Sequence, residues 1–245
     1  MKARHAMLVA LAAAFVLTSV AAAGSERAER REMITTQQPA GARLVLTEAG
    51  VRFSLRVPRA GWEQMNSIPT KKSRRAPGCC PGRGRPISLN KSIVGPQDAE
   101  AIIYWTSFPH GDYADPCARE LARTVGRSAA NLAAAVSTAP GVELVRRSPY
   151  GGQKAPSDVT LGGHPAKHVV LTVRENVGCD PGFFYTWRDG PGGAFWRTTD
   201  VGDRIRVWIV AVGGTRLFIA AATNEQANLG LTREVTQIVE SIRFA

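Results

Sequence analysis

Long apolar runs are nearly absent from this sequence of 245 residues. One run, at residues 6–20, is long enough to raise the question of a membrane, which excludes a protein with several membrane spans. Acidic residues are also scarce, because 20 Asp and Glu stand against 31 Lys and Arg, for a formal net charge of +11. Cysteine and histidine occur four times each, so thiol and metal chemistry have few residues available.

Signatures of common catalytic and cofactor sites are missing as well. The chain contains no G-x-S-x-G motif, P-loop, dinucleotide fingerprint or C-x-x-C pair. Ser88 and Lys91 match the S-x-x-K acyl-transfer motif, but they lie in an alternating pattern that predicts a strand. A strand would place the two side chains on opposite faces, and the partner motifs of that chemistry are absent. We therefore expect no catalytic residue at this motif.

Glycine and proline, in contrast, are plentiful, with 24 and 15 residues. Such a composition predicts many turns, and 44% hydrophobic residues are enough for a folded core. Alternating apolar residues flank turns at Ala49-Gly50, Gly162-Gly163, residues 189–193 and Gly213-Gly214, which predicts four hairpins. A buried strand is predicted at residues 101–105.

Helices are predicted in two regions. Asp115-Pro116 has the form of an N-cap and first helical residue for a helix through residue 122, and Ser128 caps a second piece that ends at residues 139–141. A helix closes the chain, and its apolar stripe consists of Leu231, Val235, Ile238, Val239 and Ile242. The fold class is therefore α+β: an antiparallel sheet of consecutive hairpins, a central helical segment and a C-terminal helix packed on the sheet.

Residues 1–23 have the layout of an export signal. Lys2 and Arg4 form a basic start, residues 6–20 are apolar, and residues 21–23 supply a small-residue cleavage pattern. We expect cleavage after Ala23 and a secreted or cell-envelope protein with no membrane span left; an uncleaved anchor is the alternative. Residues 24–41 are predicted as a polar tether and residues 42–245 as a single α+β domain.

Most of the net positive charge lies in one segment. Residues 71–91 hold seven Lys or Arg and no Asp or Glu, and residues 67–86 are predicted as a basic loop within the domain. Phosphate contacts from this loop would suit a teichoic-acid-like polymer, anionic lipid or nucleic acid, without sequence-specific readout. A solvated loop is the alternative. The candidate polyanion-binding residues are Lys71, Lys72, Arg74, Arg75, Arg83 and Arg85.

A resemblance to a known fold rests on three segments. They are GVRFSLRVPRAGW at 50–62, G-x-P-A-x-x-V at 163–169 and IVESIRF at 238–244. Together with a long two-stranded ribbon, they resemble the Mog1/PsbP-like fold, which includes small exported proteins of the LpqN type from high-GC bacteria. The resemblance implies an architecture and favours a binding or assembly factor over an enzyme. It transfers no functional residue.

The four cysteines suggest disulfide chemistry in an exported protein. Cys117 and Cys179 lie at the ends of predicted elements, and a bridge between them would join the helical segment to the sheet. We predict that disulfide. The Cα atoms of the adjacent Cys79 and Cys80 are closer together than those of a usual disulfide. We therefore expect these two residues to be free thiols or to form disulfides with another chain.

The histidines give weak indications of a site. His164 and His168 lie in a predicted strand, where their rings would be about 13 Å apart along one face, too far to share a metal ion. We expect no metal and no cofactor. His110 stands beside Asp112 in a predicted polar loop, so His110 or His168 with a carboxylate is the candidate site of a hydrolase-like enzyme.

Aromatic residues near the third hairpin form another candidate. If Arg188 pairs with Ala194, Trp187 stands opposite Phe195 and four aromatic side chains share one face. An exposed face of this kind could stack on sugars or bases, and the alternative is the buried side of the sheet. The four residues are Phe183, Tyr185, Trp187 and Phe195.

These observations favour an exported, non-catalytic binding or accessory module of the cell envelope. Its expected partner is an envelope polymer or another exported protein. The hydrolase-like enzyme and the polyanion-binding surface protein are the alternatives.

Overall fold

The structure of the chain, a computed structural model, describes residues 32–68, 85–94, 98–107, 109–115, 120–121, 126, 128–139, 141–145, 156–174, 184–189, 195–198 and 201–245. The strands and helices all belong to the compact unit Arg31–Ala245. They are, in chain order, β1 (Glu32–Gln38), β2 (Arg43–Glu48), β3 (Val51–Arg56), β4 (Trp62–Ile68), β5 (Arg85–Ile93), β6 (Ala99–Thr106), β7 (Pro109–Asp115), β8 (Glu120–Leu121), α1 (Ala129–Ser137), β9 (Val142–Leu144), β10 (Ser157–Leu161), β11 (His164–Val173), β12 (Phe184–Asp189), β13 (Phe195–Thr198), β14 (Arg204–Val212), β15 (Thr215–Thr223), α2 (Leu229–Glu240) and β16 (Arg243–Phe244).

Three antiparallel sheets organise these strands. The large sheet has nine strands in the order β1-β4-β5-β6-β15-β14-β11-β10, with β9 paired to β11. A four-stranded sheet has the order β13-β12-β7-β8, and a three-stranded sheet has the order β16-β3-β2. With one central and one C-terminal helix, the α+β class predicted from the sequence is confirmed.

Turn chemistry explains three of the hairpins. Each has two consecutive residues with positive φ, which is the backbone of the type I′ turn that matches the twist of paired strands. The φ values are 47° and 84° at Ala49 and Gly50, 55° and 89° at Gly162 and Gly163, and 56° and 79° at Gly213 and Gly214. The pairs β2–β3, β10–β11 and β14–β15 therefore form where the sequence predicts them.

Gly162 differs from Gly213 in what surrounds it, which allows a matched test. A Cβ at Gly162 would lie 2.7 Å from Phe244 Cδ2, whereas the space around Gly213 is open to 4 Å. Since the two φ values are nearly equal, Gly162→Ala should destabilise by about 1–3 kcal/mol more than Gly213→Ala. Urea unfolding of both variants measures the difference, and equal losses of stability would contradict the Phe244 contact.

The large sheet has an apolar core on each of its faces. On β14, Ile205, Val207 and Ile209 pack toward α1, while Trp208 and Val210 belong to the core that contains α2. This alternation follows from the two-residue period of a strand. The α1 core is completed by Leu132, Ala133, Val136, Val169, Leu171, Val173, Phe218, Ala220 and Ala222.

Both helices have a side chain as N-cap. The Ser128 side chain accepts a hydrogen bond from the Asn131 backbone nitrogen at 3.0 Å, as predicted for α1. Asn228 accepts from the Leu231 nitrogen at 2.9 Å and caps α2. The predicted apolar stripe is confirmed as buried, with Leu231, Val235, Ile238 and Val239 on α2 and Ile242 two residues beyond its end.

Several predicted boundaries are wrong. Residues 32–38 were expected in the polar tether 24–41, but they form β1, which pairs along its whole length with β4. Residues 67 and 68, expected at the start of the loop 67–86, end β4, whose first residue, Trp62, is fully buried. Pairing of backbone groups between neighbouring strands stabilises these polar segments, although they lack an apolar period.

The first predicted helical piece is also wrong in the part that the structure describes. Asp115, expected as an N-cap, ends β7, and Glu120–Leu121 form β8 opposite it. Local capping chemistry is therefore overridden by strand pairing between β7, β8 and β12. His110, expected in a polar loop, lies within β7 as well.

The third hairpin forms with a different register from the one predicted. Tyr185 stands opposite Arg197, but Phe195 pairs with Arg188 rather than Trp187 because an irregularity interrupts the ladder after Tyr185. A bulge adds a residue on one strand and so changes which side chains share a face. The predicted pairing of Trp187 with Phe195 is therefore wrong, and the shared aromatic face stays a prediction because Phe183 lies outside the described residues.

Candidate functional site

A shallow concavity of about 480 Å³ lies where three strands of the large sheet meet. The described residues of its lining lie on β9, β11 and β14 or directly follow the first two: Glu143, Val145, Thr172, Arg174 and Arg204. This set is called the β9–β11–β14 concavity below. It combines two guanidinium groups, a carboxylate and a hydroxyl on a rigid sheet.

Strand register brings these residues together. Thr172 stands opposite Arg204 on β14 and opposite Glu143 on β9, so the three side chains form one row across the sheet. Their neighbours Leu171 and Ile205 are buried in the α1 core. Because successive strand residues point to opposite faces, the row lies on the face away from α1.

An ion pair sets part of the charge of the concavity. The Arg174 Nε atom pairs with the Glu143 carboxylate, and the Arg174 backbone nitrogen donates to the Gly141 carbonyl oxygen at 2.9 Å. Arg174 is thereby held beside β9. The Arg204 side chain, in contrast, makes no hydrogen bond or ion pair with another residue in the described part of the chain.

Arg206 lies one row further along the same face of β14, opposite Val170. Its Nη1 atom is buried and has no hydrogen-bond partner within the described residues. Burial lowers the pKa of Arg206, and the nearby charge of Arg204 lowers this pKa further. A guanidinium still remains protonated at neutral pH, so a partly buried cation lies next to the concavity, and its Nη1 atom has no partner among the described residues.

An aromatic stack forms the next row on that face. The His168 ring lies 4.7 Å from the Trp208 ring, with 22° between their planes. His164, in the same strand, contacts Phe244 edge-on at 5.2 Å. The two histidines therefore contact different aromatic rings. In the described ranges, no three His, Cys, Asp or Glu side chains are grouped as they would be around a metal ion.

The S-x-x-K motif lies in β5, as the alternating pattern predicts. Ser88 stands opposite Tyr104 and Lys91 opposite Ala101. The Lys91 Nζ atom is 2.7 Å from Glu234 Oε2 on α2. Lys91 thus contributes to an internal ion pair, which the motif did not reveal.

Many of the predicted site residues lie outside the described residues. They are Cys79, Cys80, Cys117, Cys179, Lys71, Lys72, Arg74, Arg75, Arg83 and Phe183. The disulfide, the polyanion-binding role of the basic loop and the export signal therefore stay predictions. Arg85 lies in β5 opposite Ser67, so both ends of the predicted loop 67–86 belong to strands. Trp187 stands opposite Asp112 on β7.

Arg174, Arg204 and Arg206 were missed as site residues. Their positions are scattered along the chain, and only the register of β11 and β14 brings them near each other. One signal was present, since the alternation in R-I-R-V-W at 204–208 predicts Arg204, Arg206 and Trp208 on one face.

Comparisons with known proteins give little beyond architecture. No family model and no curated protein matches the chain. A matching solved structure is described as the crystal structure of LpqN involved in cell envelope biogenesis of Mycobacterium tuberculosis. It shares 14% sequence identity with this chain and covers 88% of this chain and 92% of its own, with a TM-score of 0.36. The resemblance is weak and concerns architecture alone.

Neither of the two helices in the described residues has the length and apolar character needed to cross a membrane.

Proposed function

We propose that this chain is an exported, non-catalytic binding or accessory module of the cell envelope, and that the β9–β11–β14 concavity is its binding site. The observation that carries the proposal is the lining of the concavity. Guanidinium groups stay protonated, so Arg174 and Arg204 offer directed hydrogen bonds and charge rather than proton transfer. The rigid sheet beneath them holds this recognition surface in place.

The cellular setting of the proposal comes from the sequence. A basic start, an apolar run at 6–20 and small residues at 21–23 favour export. A protein delivered beyond the membrane meets envelope polymers, lipids and other exported proteins. These are the candidates from which the concavity would select its ligand.

A retention assay tests this proposal. Thr172 lies in the middle of the row, so Thr172→Trp should fill the concavity without removing a charge. We expect at least tenfold weaker retention of the bound component from fractionated envelope, lipid and carbohydrate preparations. Quantitative pull-down at two salt concentrations measures this loss.

Thr47→Trp is the matched control, because Thr47 is exposed on β2 and outside the concavity. Its retention should equal that of the unchanged chain. If Thr172→Trp retains the component as well as the unchanged chain does, the binding site lies elsewhere. Turnover of a substrate by the purified chain would overturn the non-catalytic role.

A further inference from the structure

We infer that the ligand of the β9–β11–β14 concavity carries an oxyanion, as a phosphate ester or a carboxylate. Arg204 contacts this oxyanion directly, next to Arg206 on the same face of β14. This inference rests on the proposed function and names the chemical class of the ligand. It follows from the charge balance, the placement and the burial of the arginines.

Charge balance favours an anion over a cation. Among the described residues that line the concavity there is one carboxylate, Glu143, and that group is already paired with Arg174. Arg204 adds a positive charge that no described residue neutralises, and Arg206 adds a second on the same face. An incoming oxyanion would therefore be attracted by two guanidinium groups that form no ion pair with a carboxylate of the described residues.

The spacing of the two arginines suits one small anionic group. Residues two apart on a strand are separated by about 6.6 Å along the chain and point to the same face. Each guanidinium presents several donors in a planar fork that matches carboxylate and phosphate oxygens. The Thr172 hydroxyl, opposite Arg204, adds a further donor at the edge of the same site.

Burial gives Arg206 a separate role from that of Arg204. Arg204 is exposed and can contact a ligand directly, whereas the Arg206 Nη1 atom is buried without a partner within the described part of the chain. A buried, unpaired cation costs free energy, and a nearby anion recovers part of that cost. Arg206 thus strengthens the electrostatic attraction of the oxyanion, while Arg204 makes the direct contact with it.

Titration of the purified chain with inorganic phosphate and with acetate, at constant ionic strength, tests the inference. Chemical shifts of the Thr172 amide and the arginine Nε–H groups report binding at the site. We expect Arg204→Gln to weaken phosphate affinity at least tenfold, and Arg206→Gln to weaken it at least threefold. Arg206→Lys, which keeps the charge, should lose less than Arg206→Gln.

Arg233→Gln on α2 is the matched control, because it removes the same charge from another exposed position. Arg233→Gln should change the phosphate affinity less than twofold. If Arg204→Gln loses no more affinity than Arg233→Gln, the inference is overturned. Absence of shifts with both anions would overturn it too. Thermal unfolding of each variant separates lost binding from lost folding.

Two further probes distinguish the source of the anion. Vesicles containing phosphatidylglycerol test a lipid headgroup, and poly(glycerol phosphate) tests an envelope polymer. Displacement of phosphate by either one supports the inference and identifies that source.

The two proposals fail in different ways. If Thr172→Trp abolishes retention but phosphate does not compete with the retained component, the binding site is correct and the anionic class of the ligand is wrong. Arg204-dependent phosphate binding without retention of any envelope component would instead contradict the proposed envelope role.

Discussion

Glu234→Gln is expected to lower the free energy of unfolding by about 3–5 kcal/mol. Glu234 lies on α2 and is 6% exposed. Its Oε2 atom accepts from Lys91 Nζ at 2.7 Å and from Trp62 Nε1 at 3.1 Å. Glutamine keeps the size and an acceptor for Trp62, but it leaves the Lys91 cation largely buried without a counter-charge. Denaturant unfolding at neutral pH measures the loss.

Two other variants test this explanation. Glu240→Gln alters an exposed residue of the same helix and should change stability by less than about 0.5 kcal/mol. Combining Lys91→Met with Glu234→Gln should recover part of the lost stability, because the unpaired charge is then gone. A double variant no more stable than Glu234→Gln would contradict the role of the ion pair.

Glu48→Ala is expected to cost about 3 kcal/mol. Glu48 ends β2 and is 2% exposed. Its Oε1 atom accepts from the Ser107 backbone nitrogen at 3.0 Å and from the Ser107 hydroxyl at 2.8 Å. These bonds link the three-stranded sheet to the end of β6, and alanine would leave two buried donors unsatisfied. Denaturant unfolding again gives the measurement.

Ser107→Ala provides the comparison for Glu48. It removes the hydroxyl bond and keeps the bond from the backbone nitrogen, so we expect a smaller cost of about 1 kcal/mol. A Glu48→Ala variant no less stable than Ser107→Ala would show that the backbone bond contributes nothing.

Elements whose signals are local are predictable from the sequence. Type I′ turns need residues that tolerate positive φ, so Gly162 and Gly213 marked their hairpins. The N-cap at Ser128 and the stripe of α2 were readable for the same reason, since each depends on residues within one or two turns.

Elements that depend on distant partners were missed. β1 has a polar sequence and forms a strand through its pairing with β4. Asp115 has good capping chemistry, yet it ends a strand in a sheet with β12. The local pattern contains no information about either partner.

The candidate site was missed for a related reason. Arg174 and Arg204 contribute to one concavity only because Thr172 stands opposite Arg204. A shift of one residue in that register would send every side chain of a strand to the opposite face. The largest cluster of positive charge along the sequence is residues 71–91, whereas these arginines come together only through strand pairing.

The pairing of β6 with β15 has a consequence for how the chain folds. It joins β1, β4, β5 and β6 to β15, β14, β11 and β10, two groups that come from opposite halves of the sequence. Neighbours within each group form largely through hairpins, but Ile103 and Ala221 must find each other across a long intervening segment. Closing that seam is expected to limit the folding rate, so the two halves form strand pairs before the central sheet becomes continuous.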